Sequence, residues 1–359
     1  MMKKKFLVAM SGGVDSSVSA FLLKEKGFEV KGITMSLGVK GADGEKPRCC
    51  GPQAINDAKK VCDKLKIPHY LMDFSQDLEE KVIRPFVEEY RRGRTPNPCI
   101  NCNRFIKFGT LLEKALCLGF DYLATGHYAK IESKNGRYLL KRAYDKVKDQ
   151  TYFLYSLRYE YLKHILFPLG NFTKERVRKI AKEANLPTFD KPQSQDICFI
   201  LEKDYHSFLK KRIKEIGPGS IVDLKGKVLG RHRGICFYTV GQREGLGISS
   251  KRPLYVISID AKRNRLTLGE RKDLKAKGLL AGKVNFLAKD LPEEVFAKIR
   301  YAHKETKCKI SYENNKVKII FEQEQEAITP GQSVVFYYDE IVLGGGIIEQ
   351  VLKRYPSED

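Results

Sequence analysis

A chain of 359 residues is too long for one typical domain and reads as two or three. Hydrophobic residues at 42% and charged residues at 31% exclude a disordered chain and allow a sizeable core without disulfide staples. Lys and Arg outnumber Asp and Glu 66 to 44, a formal net charge of +22, so a polyanion such as nucleic acid is the expected partner; no run is long enough to span a bilayer, and no membrane partner is expected.

Lys3-Lys4-Lys5 before Phe6–Ala9 could pass for a signal peptide. The apolar run is too short for that, and Ser11-Gly12-Gly13 follows at once, so Phe6–Ala9 is read as a buried strand of a cytoplasmic protein. Val14–Lys26 carries an apolar face at Val14, Val18, Phe21 and Leu22 and ends at Gly27, a helix. A strand at Phe28–Met35 follows, then a helix at Gln53–Leu65 with Ala54, Ala58, Val61 and Leu65 on one stripe. His69–Asp73 is a strand, Leu78–Arg92 a helix with a kink expected at Pro85, Arg104–Leu118 a helix, and Tyr122–Thr125 a strand. Thr173 caps a helix running to Ala184, basic on its outer face. Strands separated by crossover helices imply an α/β domain with a parallel sheet.

After about Lys203 the character changes. Gly217-Pro218-Gly219, Asp223–Gly226 and Gly241–Gly247 punctuate short runs such as Tyr255–Ile259 and Arg265–Leu268, which suggests a small mixed or β-rich middle domain. Beyond a boundary near Glu270–Lys277, strands at Lys307–Tyr312, Lys316–Phe321, Ser333–Tyr338 and Ile341–Ile348 suit a small β-barrel. The expected domains are 1–203, 204–272 and 273–359.

Ala9-Met10-Ser11-Gly12-Gly13-Val14-Asp15-Ser16-Ser17 lies between a buried strand and an amphipathic helix. Its glycines let backbone N–H groups turn toward an anion, and the helix start adds partial positive charge. Ser11, Ser16 and Ser17 add hydroxyl donors. Asp15 would repel a phosphate, so it is expected to bind Mg²⁺ or orient donors. No Gly-x-x-x-x-Gly-Lys-Ser/Thr occurs, so the loop is not of the Walker type.

Nine cysteines in a reducing compartment point to catalytic, metal-binding or core thiols rather than structural disulfides. Cys99-Ile100-Asn101-Cys102 follows a segment that Pro96 and Pro98 hold extended. With a helix expected from Asn103-Arg104, its dipole, Arg104 and Lys107 should lower the Cys102 pKa. On its own a Cys-x-x-Cys is also half a zinc site, a redox pair or chance; without a second such pair a four-cysteine zinc site is not expected. Cys198, flanked by apolar residues, reads as a buried core cysteine. Cys49 and Cys50 lie in a charged, glycine-rich loop and read as exposed thiols; Cys62, Cys117, Cys236 and Cys308 read as structural.

The Ser11–Ser16 loop resembles the PP-loop of the ATP pyrophosphatases, which cleave ATP between the α- and β-phosphates and pass AMP to an acceptor oxygen. With Gly93-Arg94-Thr95-Pro96-Asn97-Pro98, Cys102-Asn103, Ile106-Lys107-Phe108, Ala124–Tyr128, Lys148–Leu154, Ile197–Ile200, Gly241–Gly247, Arg300-Tyr301, Thr329–Gln332 and Leu343–Ile348, the chain resembles the bacterial tRNA-specific 2-thiouridylases almost end to end. The resemblance implies a PP-loop domain, a small middle domain and a C-terminal β-barrel. It implies ATP-dependent 2-thiolation of the wobble uridine of tRNAs for Lys, Glu and Gln, through adenylation of the uracil C2 oxygen. Sulfur would arrive as a persulfide from a sulfur carrier or cysteine desulfurase, be carried on Cys198 and be released by Cys102, with a disulfide between them as one outcome.

Carried over residue by residue, Ala9, Met10, Ser11, Gly12, Gly13, Val14, Asp15, Ser16, Met35 and Gly126 match nucleotide-binding positions. Asn97, Pro98 and Cys99 match the segment touching the target base. His127, Lys148, Asp149, Gln150, Arg300, Tyr301 and Gln332 match tRNA contacts. The target base would have to leave the anticodon stack. Cys99 stands where many members carry Asp. The resulting Cys-x-x-Cys resembles a subgroup proposed to hold a [4Fe–4S] cluster, here on Cys99, Cys102 and Cys198. Two other readings remain open at this level. A PP-loop ligase or amidotransferase explains the loop but not Cys102, Cys198 or the charge. A redox-sensing RNA-binding module explains the charge and cysteines but leaves the loop idle.

Overall fold

The structure is a computed structural model that describes residues 3–39, 51–192, 197–200, 205–214, 217–289, 291–313 and 315–352. Two compact units are present: one comprises Met1–Val82, Pro98–Leu201 and Asp339–Val342, the other Ile83–Asn97, Glu202–Tyr338 and Leu343–Asp359. Cys49 and Cys50 lie outside the described residues. Among those described, no helix is long and apolar enough to cross a membrane.

The first unit is an α/β fold. Its strands β1 (Lys5–Ala9), β2 (Glu29–Ser36), β3 (His69–Asp73), β4 (Tyr122–Ala124) and, after a hairpin of β5 (Lys130–Lys134) and β6 (Arg137–Lys141), β7 (Ile165–Leu166) build the sheet. Its order is β3-β2-β1-β4-β7, and the four strand pairs are parallel. β1 is central, and Phe6, Leu7 and Val8 are all buried, the continuous apolar run of a strand covered on both faces. Helix α1 (Val14–Glu25) follows β1, and α2 (Pro52–Lys64) precedes β3. α1 buries more than its predicted stripe, because Ser16, Ser17, Ser19 and Ala20 are small enough to face the core. The serine hydroxyls return to the helix: Ser17 Oγ donates to Gly13 O at 2.8 Å and Ser19 Oγ to Asp15 O at 2.9 Å.

The strand order reverses at β1, which pairs with β2 over Lys5–Ala9 and with β4 over Phe6–Val8, so that Val8 lies opposite Gly32 on one side and Ala124 on the other. Loops leaving the C-terminal ends of β1 and β4 therefore meet at the crevice where such sheets bind ligands.

Helical residues begin at Ser75, earlier than expected, and a π turn at Glu79–Ile83 precedes Pro85 in Arg84–Arg91. The Cys102 segment departs further from expectation. The helix starts at Pro98, not at Asn103, and Cys102 opens a π stretch, Cys102–Leu111, one turn inside it. Proline at the first position has no N–H to lose, which makes Pro98 a helix starter rather than the end of an extended segment. Helix α3 (Lys174–Glu183) is capped as expected, Thr173 accepting from Arg176 N.

The second unit is β-rich. β8 (Gly219–Val222), β9 (Val228–His232), β10 (Tyr255–Asp260) and β11 (Arg265–Gly269) form a mixed sheet of order β10-β11-β8-β9. β12 (Lys275–Phe286), β13 (Glu294–Lys298), β14 (Thr306–Glu313), β15 (Lys316–Glu326), β16 (Ser333–Tyr338) and β17 (Ile341–Leu352) follow in the order β12-β15-β14-β13-β16-β17. Pairing of β12 with β17 closes them into a six-stranded antiparallel barrel.

Candidate active site

Backbone geometry shapes the loop between β1 and α1. Gly12 has φ +68°, and a Cβ there would lie 2.3 Å from Ala54 O, so neither the conformation nor the space admits a side chain. Ser16 Oγ holds the turn closed, accepting from Ser11 N at 3.2 Å and donating to Gly13 O at 3.1 Å. The N-cap of α1 is Gly13, which supplies no side-chain acceptor, so the first N–H groups of the helix are left for an anion. Gly126, after β4, packs against the same loop: a Cβ on it would lie 2.8 Å from Asp15 C and Ser16 N. Met10 is buried at the loop's base, where its N donates to Ile33 O at 2.7 Å, and Met35 is buried in β2. Ala9 through Ser16 and Gly126 thus lie together at one crevice.

Asp15 does not face that crevice alone. Lys174 Nζ lies 2.6 Å from Asp15 Oδ1, and Tyr128 OH donates to the same oxygen at 2.9 Å. Burial and the Asp15 charge push the Tyr128 hydroxyl pKa far up, so it stays a donor. Lys191 Nζ donates to Gly12 O at 2.9 Å and pairs with Asp57 at 2.5 Å. Two ammonium groups therefore stand at the loop, each tethered to a carboxylate.

Cys102 is half-buried and a free thiol, so no disulfide joins it to Cys198. Burial pushes its thiol above the ordinary value, and Lys107 pulls it down only in part. The expectation of a lowered thiol pKa is therefore corrected: being inside a helix rather than at its start, Cys102 loses the dipole's help and meets desolvation instead. Lys107 is fixed by Asn103, accepting at 3.1 Å through Oδ1, while Asn103 Nδ2 donates to Phe153 O at 3.0 Å. His127 lies 2.7 Å from Thr125 Oγ1 through Nδ1 and packs among Phe108 and Phe167. Burial, then Lys107, hold its pKa well below the usual imidazole range, so it is neutral.

Cys99 is exposed, and Cys198 is half-buried rather than a core residue. Cys117 is exposed, against the structural role expected of it, whereas Cys62, Cys236 and Cys308 are buried. Among the described residues no group of three or more His, Cys, Asp or Glu is placed to hold a metal ion. Cys99, Cys102 and Cys198 thus do not fit a cluster as they stand.

The segment 148–150 is tied down beside His127. Gln150 N donates to Tyr128 O and Tyr128 N to Gln150 Oε1, both at 2.9 Å. Asp149 is buried, accepting from Ala143 N at 3.0 Å and Thr151 Oγ1 at 2.6 Å, so its carboxylate braces the turn from within. Lys148 is half-buried. Asn97, Arg300, Tyr301 and Gln332 belong to the second unit. There Gln332 Nε2 donates to Thr95 O at 2.7 Å, Thr95 N to Pro330 O at 2.9 Å, and Thr95 Oγ1 to Thr239 Oγ1 at 3.1 Å, which straps the run before Asn97 to the barrel's Thr329–Gln332 turn. Tyr301 is exposed, with Lys298 Nζ 5.4 Å from its ring centre.

Comparison with known proteins extends over the whole length. The family model described as the tRNA methyl transferase HUP domain matches residues 4–202, the tRNA methyl transferase PRC-barrel domain 206–289, and the aminomethyltransferase beta-barrel domain 276–348. The tRNA-specific 2-thiouridylase MnmA 1 of Syntrophus aciditrophicus is 53% identical over 352 residues, 98% of this chain and 94% of that one. The tRNA-specific 2-thiouridylase MnmA of Acetivibrio thermocellus is 51% identical, covering 97% of this chain and 100% of its own. The chain belongs to the tRNA-specific 2-thiouridylase family.

In this 2-thiouridylase-family chain, sequence reading passed over three side chains that serve the loop: Tyr128, Lys174 and Lys191. One signal was available for Lys174. It is the first residue of α3, where a cation opposes the helix dipole, so a lysine there needs another reason. Tyr128 stood inside a quoted motif, but nothing in its type or spacing marked its hydroxyl for Asp15.

Proposed function

We propose that this chain thiolates C2 of the wobble uridine in tRNAs for Lys, Glu and Gln, using ATP to activate the uracil oxygen. The observation that carries the reading is the uncapped, glycine-shaped loop between β1 and α1, with Cys102 and neutral His127 in the same unit. The matched family models carry names that speak of methyl transfer. An ATP-binding loop with a thiol in the same unit suits sulfur transfer instead, because methylation needs no leaving group made on the base. The division into 1–203, 204–272 and 273–359 and a cytosolic place for the reaction belong to the same reading.

In the first step the uracil C2 oxygen attacks the α-phosphorus of ATP and pyrophosphate leaves, so C2 now bears AMP. The N–H groups at the start of α1 hold the pyrophosphate, and Lys174 and Lys191 offset its growing charge. Asp15 is the residue that would hold Mg²⁺, which would supply positive charge to the phosphates there. Gly126 and Met35 bound the nucleotide, and Asn97, Pro98 and Cys99 place the flipped base.

In the second step a sulfur carrier or desulfurase loads Cys198 as a persulfide. Cys102 attacks the inner sulfur, the S–S bond of the persulfide breaks, and a Cys102–Cys198 disulfide and hydrosulfide form. Hydrosulfide attacks C2 and AMP leaves. An external dithiol then reduces the disulfide by two electrons, becoming a disulfide itself, before the next turnover. The three cysteines do not fit a cluster here, so no step is routed through one. Arg300, Tyr301, Gln332, His127 and the 148–150 turn contact the tRNA, Asp149 by bracing Lys148 and Gln150 from beneath.

The test is product analysis with tRNA carrying ¹⁸O at the uracil C2 oxygen. The reading requires AMP that carries the label and pyrophosphate in equal amount. ADP with phosphate, or unlabelled AMP, would refute it.

A further inference from the structure

The turn that bears Lys148 and Gln150 is wired to the phosphate loop by two separate paths that meet on one carboxylate oxygen. Asp145 is the hub of the first. Its Oδ1 accepts from Val147 N at 3.1 Å and Lys148 N at 3.2 Å, which shapes the turn. Its Oδ2 accepts from Lys174 N at 2.9 Å, at the start of α3. The side chain of that same Lys174 grips Asp15 Oδ1 at 2.6 Å. The second path runs from Gln150 through the backbone of Tyr128, bonded in both directions, to the Tyr128 hydroxyl on Asp15 Oδ1 at 2.9 Å.

The outer side of the turn faces solvent, with Tyr144 65% and Val147 83% exposed. Its inner side is rigid: Tyr144 N donates to Gly170 O at 2.8 Å, and Asp149 is buried. The turn is thus bonded on its inner side and open on its outer side, and its bonds run on to Lys174 N and to the backbone of Tyr128.

We infer that Asp145 is a positioning residue that couples occupancy of the 144–150 turn by RNA to the state of Asp15, and so to ATP affinity. When RNA draws on the turn, Asp145 and Gln150 shift Lys174 and Tyr128, and the Lys174 ammonium swings from Asp15 toward the phosphates whose charge it offsets. ATP is then held tightly only when a substrate base is at hand, which limits futile cleavage. This inference rests on the reading of the loop as an ATP site and of the turn as a tRNA contact. Coupling is reciprocal, so ATP must tighten tRNA by the same factor.

The test measures binding of α,β-methylene ATP with and without unmodified tRNA, by equilibrium dialysis. For the wild type, tRNA is expected to tighten the analogue about tenfold, within the usual range of coupling between sites. Asp145→Ala and the milder Asp145→Asn are expected to fold and to bind each ligand alone measurably, while the ratio falls to about one. Tyr128→Phe, which removes only the hydroxyl contact, should leave a partial ratio. A purely structural role would weaken both ligands, or lower the melting temperature, and leave the ratio unchanged. An unchanged ratio in a folded Asp145→Ala or Asp145→Asn protein overturns the inference, as does a wild-type ratio of one. If the wild type binds no analogue or no tRNA at all, the functional reading itself fails and takes this inference with it.

Discussion

Gly12 and Gly126 confine the phosphate loop from two sides, one by conformation and one by contact. Gly12→Ala places a methyl group against Ala54 O in a left-handed backbone, at a cost of about 1–3 kcal/mol. ATP affinity should fall by at least about tenfold, because the loop moves off the helix start; calorimetry would show the loss, and unchanged affinity would contradict the loop geometry. Cys102 carries a different prediction. Its thiol is pushed above the ordinary value, so thiolate is scarce at neutral pH and grows as pH rises toward the thiol's own pKa. The single-turnover rate of sulfur transfer should climb about tenfold per pH unit above pH 7. Lys107→Met should lower it at every pH, since it removes a charge that favours thiolate. A flat profile would place the rate limit elsewhere. At this scale the glycines were readable because only glycine serves such a turn. The Cys102 pKa was not, since Pro98 moved the helix start one turn earlier and placed the thiol under burial instead of at the dipole.

The elements that carry the site are β1, α1, β4 and α3. Thr173 fixes the start of α3, and with it Lys174. Thr173→Ala should cost about 1 kcal/mol in stability. It should also weaken ATP binding, because the Lys174 ammonium loses its placement beside the phosphate loop; a melting shift with ATP affinity intact would separate the two roles. Most strands of the first unit were legible: Phe6–Ala9 as an unbroken apolar run and His69–Asp73 within its bounds. The hairpin of β5 and β6 was not, because Lys130–Lys134 is charged and mostly exposed and the Tyr138-Leu139-Leu140 run of β6 shows no alternation. Its turn, Asn135-Gly136 with both φ positive, was the available signal. β12 escaped for another reason: Gly278 and Gly282 interrupt its pattern, yet Gly278 is needed where a Cβ would meet Ile319 O at 2.6 Å.

For the whole molecule, the net charge of +22 predicts electrostatic binding of tRNA. Affinity should fall by at least about tenfold between roughly 50 and 200 mM salt. The buried thiols set a second global property. Burial pushes Cys62 and Cys308 up to about 12 and Cys236 to about 11, from an ordinary 9.0. Unfolded thiols ionise near 9.0 while these folded ones keep their protons, so the stability they confer is complete below pH 9.0 and is lost as pH climbs toward 11 or 12. Denaturant midpoints at pH 8 and 10 would show the decline. The order of motifs along the chain made the family legible, because short runs spread over 359 residues do not recur by chance. The tethering of Asp15 by Lys174 and Tyr128 was not legible, since it joins residues 159 and 113 positions apart.

The central claim is that ATP is used here to place sulfur on a tRNA base. Incubation of the purified protein with ATP, unmodified tRNA for Lys, cysteine and a desulfurase, followed by nucleoside mass spectrometry, tests it directly. 2-Thiouridine should form at the wobble position, with one AMP per thiolated base and none made by Cys102→Ser. A methylated nucleoside, or unmodified uridine in the presence of persulfide-loaded Cys198, would contradict it.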